Sequence, residues 1–170
     1  THYIPAGHFH VIKEAASDNH PIDRLLDGLH RDPGEGEHAR LTPAIHRIFG
    51  APSVEEILER LDKEQGQDEA WAKSTAAEIR KKSPTSLKVA FAQMRLGKTL
   101  TLAEALRLEF RLSSQIVASP DYHEGITARI AGKGAAPRWQ PATLSDVDDA
   151  EIERLFATAP ERELQLAERQ

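Results

Sequence analysis

Helix signals recur along almost the whole of this 170-residue chain, and they constrain its fold more than any other feature. Apolar residues return every three or four positions, whereas the alternation typical of half-buried strands is almost absent. A capping serine followed by proline marks two helix starts, at Ser83-Pro84 and at Ser119-Pro120. The chain is therefore predicted to be all-α, with one helical region over residues 1–170 and no internal domain boundary. Residues 157–170 are helix-prone and are expected to fray.

The first third is predicted to hold short helices on either side of a long loop. An apolar face beginning at Ile22 marks one helix, and a second short helix is expected to stop at Gly50. Residues 31–43 lie between them and are rich in glycine, proline and charge, which favours a loop. Ser53 and Glu56 have the spacing of a capping box, in which each side chain bonds the other residue's amide, and they predict the next helix start.

The helix that begins at Thr101 is predicted to be the longest and to lie at the centre of the fold. It carries two apolar stripes, and two stripes on one helix indicate burial on two sides. The first stripe comprises Leu102, Leu106, Phe110 and Val117, and the second comprises Ala105, Leu108, Leu112 and Ile116. In the preceding helix the residues expected to face inward are Leu87, Ala90, Phe91 and Met94.

Composition excludes several classes of function. The formal net charge of −5 and the pI near 5.9 argue against nucleic acid as a partner, because such proteins carry a basic stripe. No apolar run approaches the roughly 20 residues that span a bilayer, so no membrane partner is expected. The absence of cysteine excludes thiolate chemistry and cysteine-zinc sites. His8 and His10 alternate as metal ligands do, but no third ligand follows at a suitable spacing, so no metal site is predicted.

Glu124 is the carboxylate most suggestive of acid–base chemistry, because it follows His123 directly. Adjacent residues on a helix point about 100° apart, which argues against their acting together. We therefore expect Glu124 to be structural and Gly125 to permit close packing. Residues 132–134, Gly-Lys-Gly, follow a helix instead of a strand, so they are a weak candidate for a nucleotide-binding loop.

Three segments between Ser83 and Trp139 carry a resemblance to a known family. They are residues 83–88 (Ser-Pro-Thr-Ser-Leu-Lys), residues 106–112, and residues 121–129 with the Lys133, Pro137, Arg138 and Trp139 that follow. In this order they resemble the C-terminal half of 3-hydroxyisobutyryl-CoA hydrolases, a branch of the enoyl-CoA hydratase (crotonase) superfamily. The resemblance covers residues 83–156, and residues 1–5 resemble the segment that follows the family's catalytic core. It implies the helical C-terminal portion of a crotonase-type α/β fold.

The resemblance implies a part of a CoA-thioester hydrolase that acts in valine breakdown. The family's catalytic residues lie upstream of Thr1, so no catalytic residue is expected in this chain, and the chain alone is predicted to be inactive. Lys133 and Arg138 are expected near the nucleotide end of CoA, since phosphates attract cations. CoA belongs to the substrate, and no separate cofactor is implied.

The resemblance also suggests partners, a compartment and alternatives. The expected partners are the acyl-CoA substrate and the missing N-terminal half of the enzyme, and homo-oligomer contacts stay open. The expected location is the cytoplasm for a bacterial protein and the mitochondrial matrix for a eukaryotic one. One alternative is a fragment of an enoyl-CoA hydratase or isomerase. The other is a free-standing α-helical interaction module.

Overall fold

The computed structural model describes residues 2–18, 21–131, 136–157 and 163–166, and these contain nine α-helices and no strand. The prediction of an all-α chain is therefore confirmed. The helices are α1 (Phe9–Ser17), α2 (Asp23–Leu29), α3 (Glu37–Phe49), α4 (Val54–Lys63), α5 (Glu69–Arg80), α6 (Pro84–Gly97), α7 (Leu102–Val117), α8 (Pro120–Ile126) and α9 (Asp149–Ala157). A π-helical turn, Thr127–Ala131, continues α8.

The chain divides into two compact units, residues 1–45 and 46–170, and the division falls within α3. In the first unit the N-terminal segment is tied to α2 and the residues after it. The His2 Nε2 atom lies 2.8 Å from Asp27 Oδ1, and the Tyr3 amide donates to His30 Nδ1 at 3.0 Å. Whether residues 1–170 form one helical region stays a prediction.

The second unit has two hydrophobic clusters, each built from several helices. The first lies mainly between α4 and α5 and comprises Ile48, Ala51, Ile57, Leu61, Ala72 and Ala76. The second joins α6, α7 and α9 and comprises Val89, Leu108, Leu112, Val147 and Ile152. Between them Lys88 donates to Asp149 at 2.9 Å and lies 3.5 Å from Glu55, and these contacts raise the pKa of Lys88.

The helix starts are held by side-chain caps, as the sequence predicted, but the capping box lies elsewhere. The Ser53 hydroxyl accepts a hydrogen bond from the Glu56 amide at 3.1 Å, whereas the Glu56 carboxylate accepts a hydrogen bond from Arg60. The reciprocal box forms at Thr101 and Glu104, where each side chain accepts the other residue's amide. Hydrogen bonds from the Thr101 hydroxyl and amide lower the pKa of Glu104.

The loop predicted over residues 31–43 is wrong in its second half, because a helix forms there. Helix α3 begins at Glu37 and contains Pro43. Leu41, Ala44 and Ile48 follow one another at helical spacing, and each is almost completely buried. Burial of this face outweighs the hydrogen bond that a proline removes from a helix interior.

The predicted burial of α6 and α7 is correct only in part. Of the α6 residues expected to face inward, Leu87 and Phe91 are half-buried, whereas Ala90 is exposed and Met94 is 75% exposed; the buried residue is Val89, which was not predicted. In α7, the second stripe is buried around Leu108 and Leu112, but the first is open: Leu102 is 77% exposed, and Leu106 and Val117 are exposed as well. Periodicity locates the apolar faces, and only the arrangement of neighbouring helices decides which of them is covered.

The C-terminal part begins its last helix later than predicted. A single 3₁₀ turn occupies Leu144–Asp146, and α9 starts at Asp149 instead of near Ser145. Much of the tail expected to fray, residues 158–162 and 167–170, lies outside the described residues. No helix in the described part of the chain is long and apolar enough to cross a membrane.

Candidate functional site

The loop that carries Arg138 and Trp139 is fastened to α8 through its backbone. The Arg138 amide donates to Glu124 Oε1 at 2.8 Å, and the Gln140 amide donates to Asp121 Oδ1 at 2.8 Å. Both acceptors are charged, and hydrogen bonds to charged groups are stronger than neutral ones. The path of the loop is thus set by two carboxylates three residues apart, on one face of α8.

The Trp139 side chain fixes the same loop from its other side. The indole Nε1–H donates to the Lys81 carbonyl oxygen at 3.0 Å. The ring lies directly against Gly125, where an added Cβ would stand 3.1 Å from the nearest ring carbon. Glycine at this position therefore permits close packing, as the sequence predicted, and its neighbour is an indole ring.

Asp121 is the buried centre of this arrangement. The residue is 8% exposed, and its carboxylate accepts a hydrogen bond from the Ser83 hydroxyl at 2.5 Å. Ser83 is 5% exposed and caps α6 by accepting a hydrogen bond from the Ser86 amide at 3.2 Å. We call Ser83, Asp121 and Gln140 the anchor node, since they join α6, α8 and the Trp139 loop. The Ser83 hydroxyl is fully engaged within the node, which makes it a structural group and not a nucleophile.

A cleft of about 410 Å³ lies beside the anchor node. Its lining comes from α6, the end of α7, α8, the π-helical turn and the Trp139 loop. The apolar lining residues are Ile116, Tyr122, Ile126, Ile130 and Trp139, and the cations are Lys82 and Arg129. A mostly apolar hollow with a few charged groups suits an amphipathic occupant.

Of the two residues predicted to contact CoA, Lys133 and Arg138, the structure describes only Arg138. Lys133 lies outside the described residues, so its predicted role stays a prediction. The Arg138 side chain is exposed beside a smaller polar hollow of about 350 Å³ that Glu124 and Gln140 also line. Asp121 lines this hollow too, so the Arg138 guanidinium shares it with two carboxylates of α8.

The other chemical candidates fall into structural roles or stay untested. Glu124 is engaged by the Arg138 amide, while the ring of His123 stands edge-on to Tyr122, with centroids 6.0 Å apart. This agrees with the structural role expected for Glu124. Among the described residues, no group of three or more histidines and carboxylates is placed to hold a metal ion.

Sequence reasoning missed the importance of Asp121 and Gln140. Asp121 follows Ser119 and Pro120, so it was indistinguishable from an ordinary acid in a first helical turn. A signal was nevertheless present. Asp121, Glu124 and Gly125 stand at positions i, i+3 and i+4, which places two acids and a glycine on one helix face.

Comparison with known proteins identifies the family. Residues 1–156 match the family model described as enoyl-CoA hydratase/isomerase, and the chain belongs to this family. The mitochondrial 3-hydroxyisobutyryl-CoA hydrolase of Danio rerio is 39% identical over 125 residues, covering 74% of this chain and 32% of the relative. Its counterpart in Rattus norvegicus is 31% identical over 174 residues, covering 96% of this chain and 44% of the relative.

The solved structures agree with this assignment. A carnitinyl-CoA dehydratase from Mycobacterium thermoresistibile has a TM-score of 0.83 and 27% identity, and the match covers 96% of this chain and 46% of that one. The chain thus spans less than half the length of the proteins it matches. The resemblance to the C-terminal region of 3-hydroxyisobutyryl-CoA hydrolases and the crotonase-type fold are both confirmed.

Proposed function

We propose that this chain is the C-terminal helical part of an acyl-CoA thioester hydrolase that acts on 3-hydroxyisobutyryl-CoA. The observation that carries the proposal is the similarity to hydrolases of that name over 74% and 96% of the chain. In this proposal the reaction is the valine-breakdown step that releases 3-hydroxyisobutyrate and CoA. The relatives are named as mitochondrial, which favours the matrix if the source is eukaryotic. For a bacterial source the proposed location is the cytoplasm.

The proposed role of the chain is to cover the acyl-CoA pocket and to hold the nucleotide end of CoA. Arg138 is the described residue proposed for this contact, because its amide is anchored to Glu124 while its side chain is exposed. A guanidinium binds phosphate oxygens in a bidentate manner. Lys133 would add a second cation. The hydrolytic groups, including the oxyanion hole that stabilises the developing charge, would come from the upstream half.

An activity comparison tests the proposal. The complete gene product that contains residues 1–170 should hydrolyse 3-hydroxyisobutyryl-CoA, as followed by release of free CoA thiol. A sample shown by mass spectrometry to hold only residues 1–170 should be inactive. Hydrolysis by residues 1–170 alone, or a complete product without thioesterase activity, would contradict the proposal.

A second candidate is an enoyl-CoA hydratase, which the likeness to a solved dehydratase favours. The same samples distinguish it, because hydration of an enoyl-CoA consumes the conjugated double bond and releases no thiol. Loss of the enoyl absorbance without thiol release would favour this candidate. A complete product with neither activity, together with a sharp monomeric melt of residues 1–170, would favour the stand-alone interaction module.

The contact assigned to Arg138 has its own test. In the complete gene product Arg138→Ala should raise KM for the CoA thioester about tenfold and leave kcat nearly unchanged, since a lost hydrogen bond to a charged group is a loss of ground-state binding. Lys98→Ala removes an exposed cation elsewhere and is the matched control. Equal KM values for the two variants would remove Arg138 from the substrate site.

A further inference from the structure

Two histidines fasten the start of the chain to the end of α2, within the unit of residues 1–45. The His30 Nδ1 atom accepts a hydrogen bond from the Tyr3 amide at 3.0 Å, and the Tyr3 carbonyl oxygen accepts one from the Arg31 amide at 3.0 Å. The His2 Nε2 atom lies 2.8 Å from Asp27 Oδ1. We call these three contacts the histidine clasp. They join residues 2 and 3 to the last turn of α2 and to the two residues that follow it.

The geometry of the clasp requires a different proton arrangement at each histidine. A backbone amide can only donate, so His30 Nδ1 carries no proton and the ring is neutral. An ionised carboxylate can only accept, so His2 Nε2 carries a proton, and a second proton on that ring strengthens its pairing with Asp27. Protonation therefore breaks the contact that His30 makes and strengthens the contact that His2 makes.

The charged groups around His30 oppose a positive charge on its ring. In the N-terminal segment the ring of His2 stands edge-on to that of His30, with centroids 5.7 Å apart. After α2 the Arg31 guanidinium donates to the His30 carbonyl oxygen at 2.7 Å and to the Gly28 carbonyl oxygen at 3.2 Å. In α2 the facing carboxylate is Asp27, which is paired with His2. Protonation of both histidines brings three positive charges together around one carboxylate, and this is the state in which the clasp opens.

The clasp lies at the surface, so protons reach it without any rearrangement. His30 and Tyr3 are exposed, and the side chains of His2 and Asp27 are 31% and 71% exposed. Histidine is the side chain that ordinarily changes charge between about pH 5 and pH 8. Of the histidines in the described part of the chain, only His30 accepts a backbone amide through its ring. Its protonation state therefore decides directly whether a backbone contact forms.

We propose that the histidine clasp is a proton-operated switch, which holds residues 2 and 3 on the end of α2 at neutral pH and releases them in mild acid. A proton on His30 turns Nδ1 from an acceptor into a donor that faces the Tyr3 amide. The bond between the Tyr3 carbonyl oxygen and the Arg31 amide is then lost as well, because both contacts need the same position of the Tyr3 backbone. The switch rests on the geometry of residues 2–31 and is independent of the proposed function.

Hydrogen exchange of the complete gene product, at about pH 7.5 and about pH 5.5, tests the switch. Single amides are resolved by mass spectrometry, and each rate is divided by the intrinsic exchange rate at the same pH. The Tyr3 and Arg31 amides should lose protection together in acid, by about tenfold, as expected for the loss of one hydrogen bond. The Leu26 amide, which donates to the Ile22 carbonyl oxygen at 2.8 Å, should stay protected.

Two results of this experiment would overturn the proposal. One is equal protection of Tyr3 at both pH values. The other is an equal loss at Leu26, because acid would then open the whole unit and not the clasp alone. The comparison of Tyr3 with Leu26 uses the unaltered protein, so it holds even if a variant fails to fold.

Substitution of His30 separates the acceptor from its titration. His30→Asn offers an amide oxygen in place of Nδ1 and cannot take up a proton, so protection of the Tyr3 amide should vary less than about twofold between the two pH values. His30→Ala has no acceptor and should leave Tyr3 weakly protected at both. His10→Asn is the matched control, because His10 is an exposed histidine of α1 outside the clasp, and it should keep the unaltered pH response. A His30→Asn protein that loses protection in acid as the unaltered protein does would reject His30 as the switch.

A titration of the His30 ring completes the test. In the complete gene product with labelled histidine, the NMR signal of His30 is assigned by its absence from the spectrum of His30→Asn. Its midpoint with pH should coincide with the midpoint at which Tyr3 loses protection, because one proton controls both events. Midpoints that differ by more than about one pH unit would show that another group releases Tyr3.

Discussion

The two faces of α8 contrast sharply within seven residues. One face carries Asp121, Glu124 and Gly125, which hold the Trp139 loop through two amide hydrogen bonds and a ring contact. The other carries Tyr122 and Ile126, which are exposed. The usual distribution of polar and apolar residues is reversed. A carboxylate can be buried when donors satisfy it, whereas apolar side chains stay exposed where no described element of the fold packs over them.

The largest expected effect comes from breaking the anchor node. In residues 1–170, Asp121→Ala leaves the Ser83 hydroxyl and the Gln140 amide without their acceptor, and should lower the free energy of unfolding by about 3 kcal/mol. Asp121→Asn keeps the shape and one acceptor oxygen, so its loss should be about half as large. Urea denaturation measures both. A loss below about 1 kcal/mol for the alanine variant would mean that the node is not what holds this face.

A smaller effect is expected where the helix meets the indole ring. Gly125→Ala places a methyl group 3.1 Å from Trp139, whose ring is held by its own hydrogen bond and has little room to move. The overpacking should exceed the gain in helix propensity and leave a net loss of about 1 kcal/mol.

Gly28 provides the matched control for this substitution. It lies in α2, with nothing within 4 Å of an added Cβ. Gly28→Ala should therefore raise stability by up to about 1 kcal/mol through propensity alone. Two alanine variants that shift the urea midpoint in the same direction would contradict the role assigned to the Trp139 contact.

The ion pair between Glu64 and Arg47 is a reference for the stability that the buried Asp121 carboxylate contributes. Glu64 accepts Arg47 in a bidentate contact at 2.7 and 3.0 Å, and this hydrogen bonding lowers the Glu64 pKa below its ordinary value of 4.5. The contribution to stability is therefore complete above pH 4.5 and is lost as the pH falls through the lower, folded-state pKa.

Glu64→Gln should make the fall in the free energy of unfolding between pH 5 and pH 3 less steep. At pH 7 it should lower the free energy of unfolding by less than Asp121→Asn does. Urea midpoints measured across this range follow the effect. Arg47→Gln should give the same change, and the double variant should add little because both substitutions remove one interaction. A variant with an unchanged pH dependence would show that the pair does not couple to folding.

The smallest effect is expected on the open face. In residues 1–170, Ile130→Ser and Tyr122→Ser remove exposed apolar surface, so each should change the free energy of unfolding by less than about 0.5 kcal/mol. Both should reduce the binding of a hydrophobic dye. A loss of stability as large as that of Asp121→Asn would show that these two side chains are already packed within this chain.

Much of the local structure was predictable, because the signals act over three or four residues. Ser83, Thr101 and Ser119 each cap the helix that follows them, and Gly50 follows the last residue of α3. The failures involve competition between local signals and burial. Pro43 suggested a loop, and the apolar face of α3 overrode it.

The candidate site was predictable only in part. The sequence indicated the Trp139 loop, the structural role of Glu124 and the need for glycine at position 125. It did not indicate that Tyr122, Ile126 and Ile130 would be exposed. The anchor node could not be read from local patterns, because Asp121 meets Ser83 and Gln140 across 38 and 19 residues of chain.

The sequence by itself determined the family, the all-α architecture and most helix starts, because capping hydrogen bonds and apolar periodicity are short-range properties. Only the tertiary structure decided which apolar face of α6, α7 and α8 is covered. It also decided that a first-turn acid would become the buried centre of a site. These outcomes depend on neighbours distant in the chain, since burial and the pairing of polar groups are set by the assembled fold.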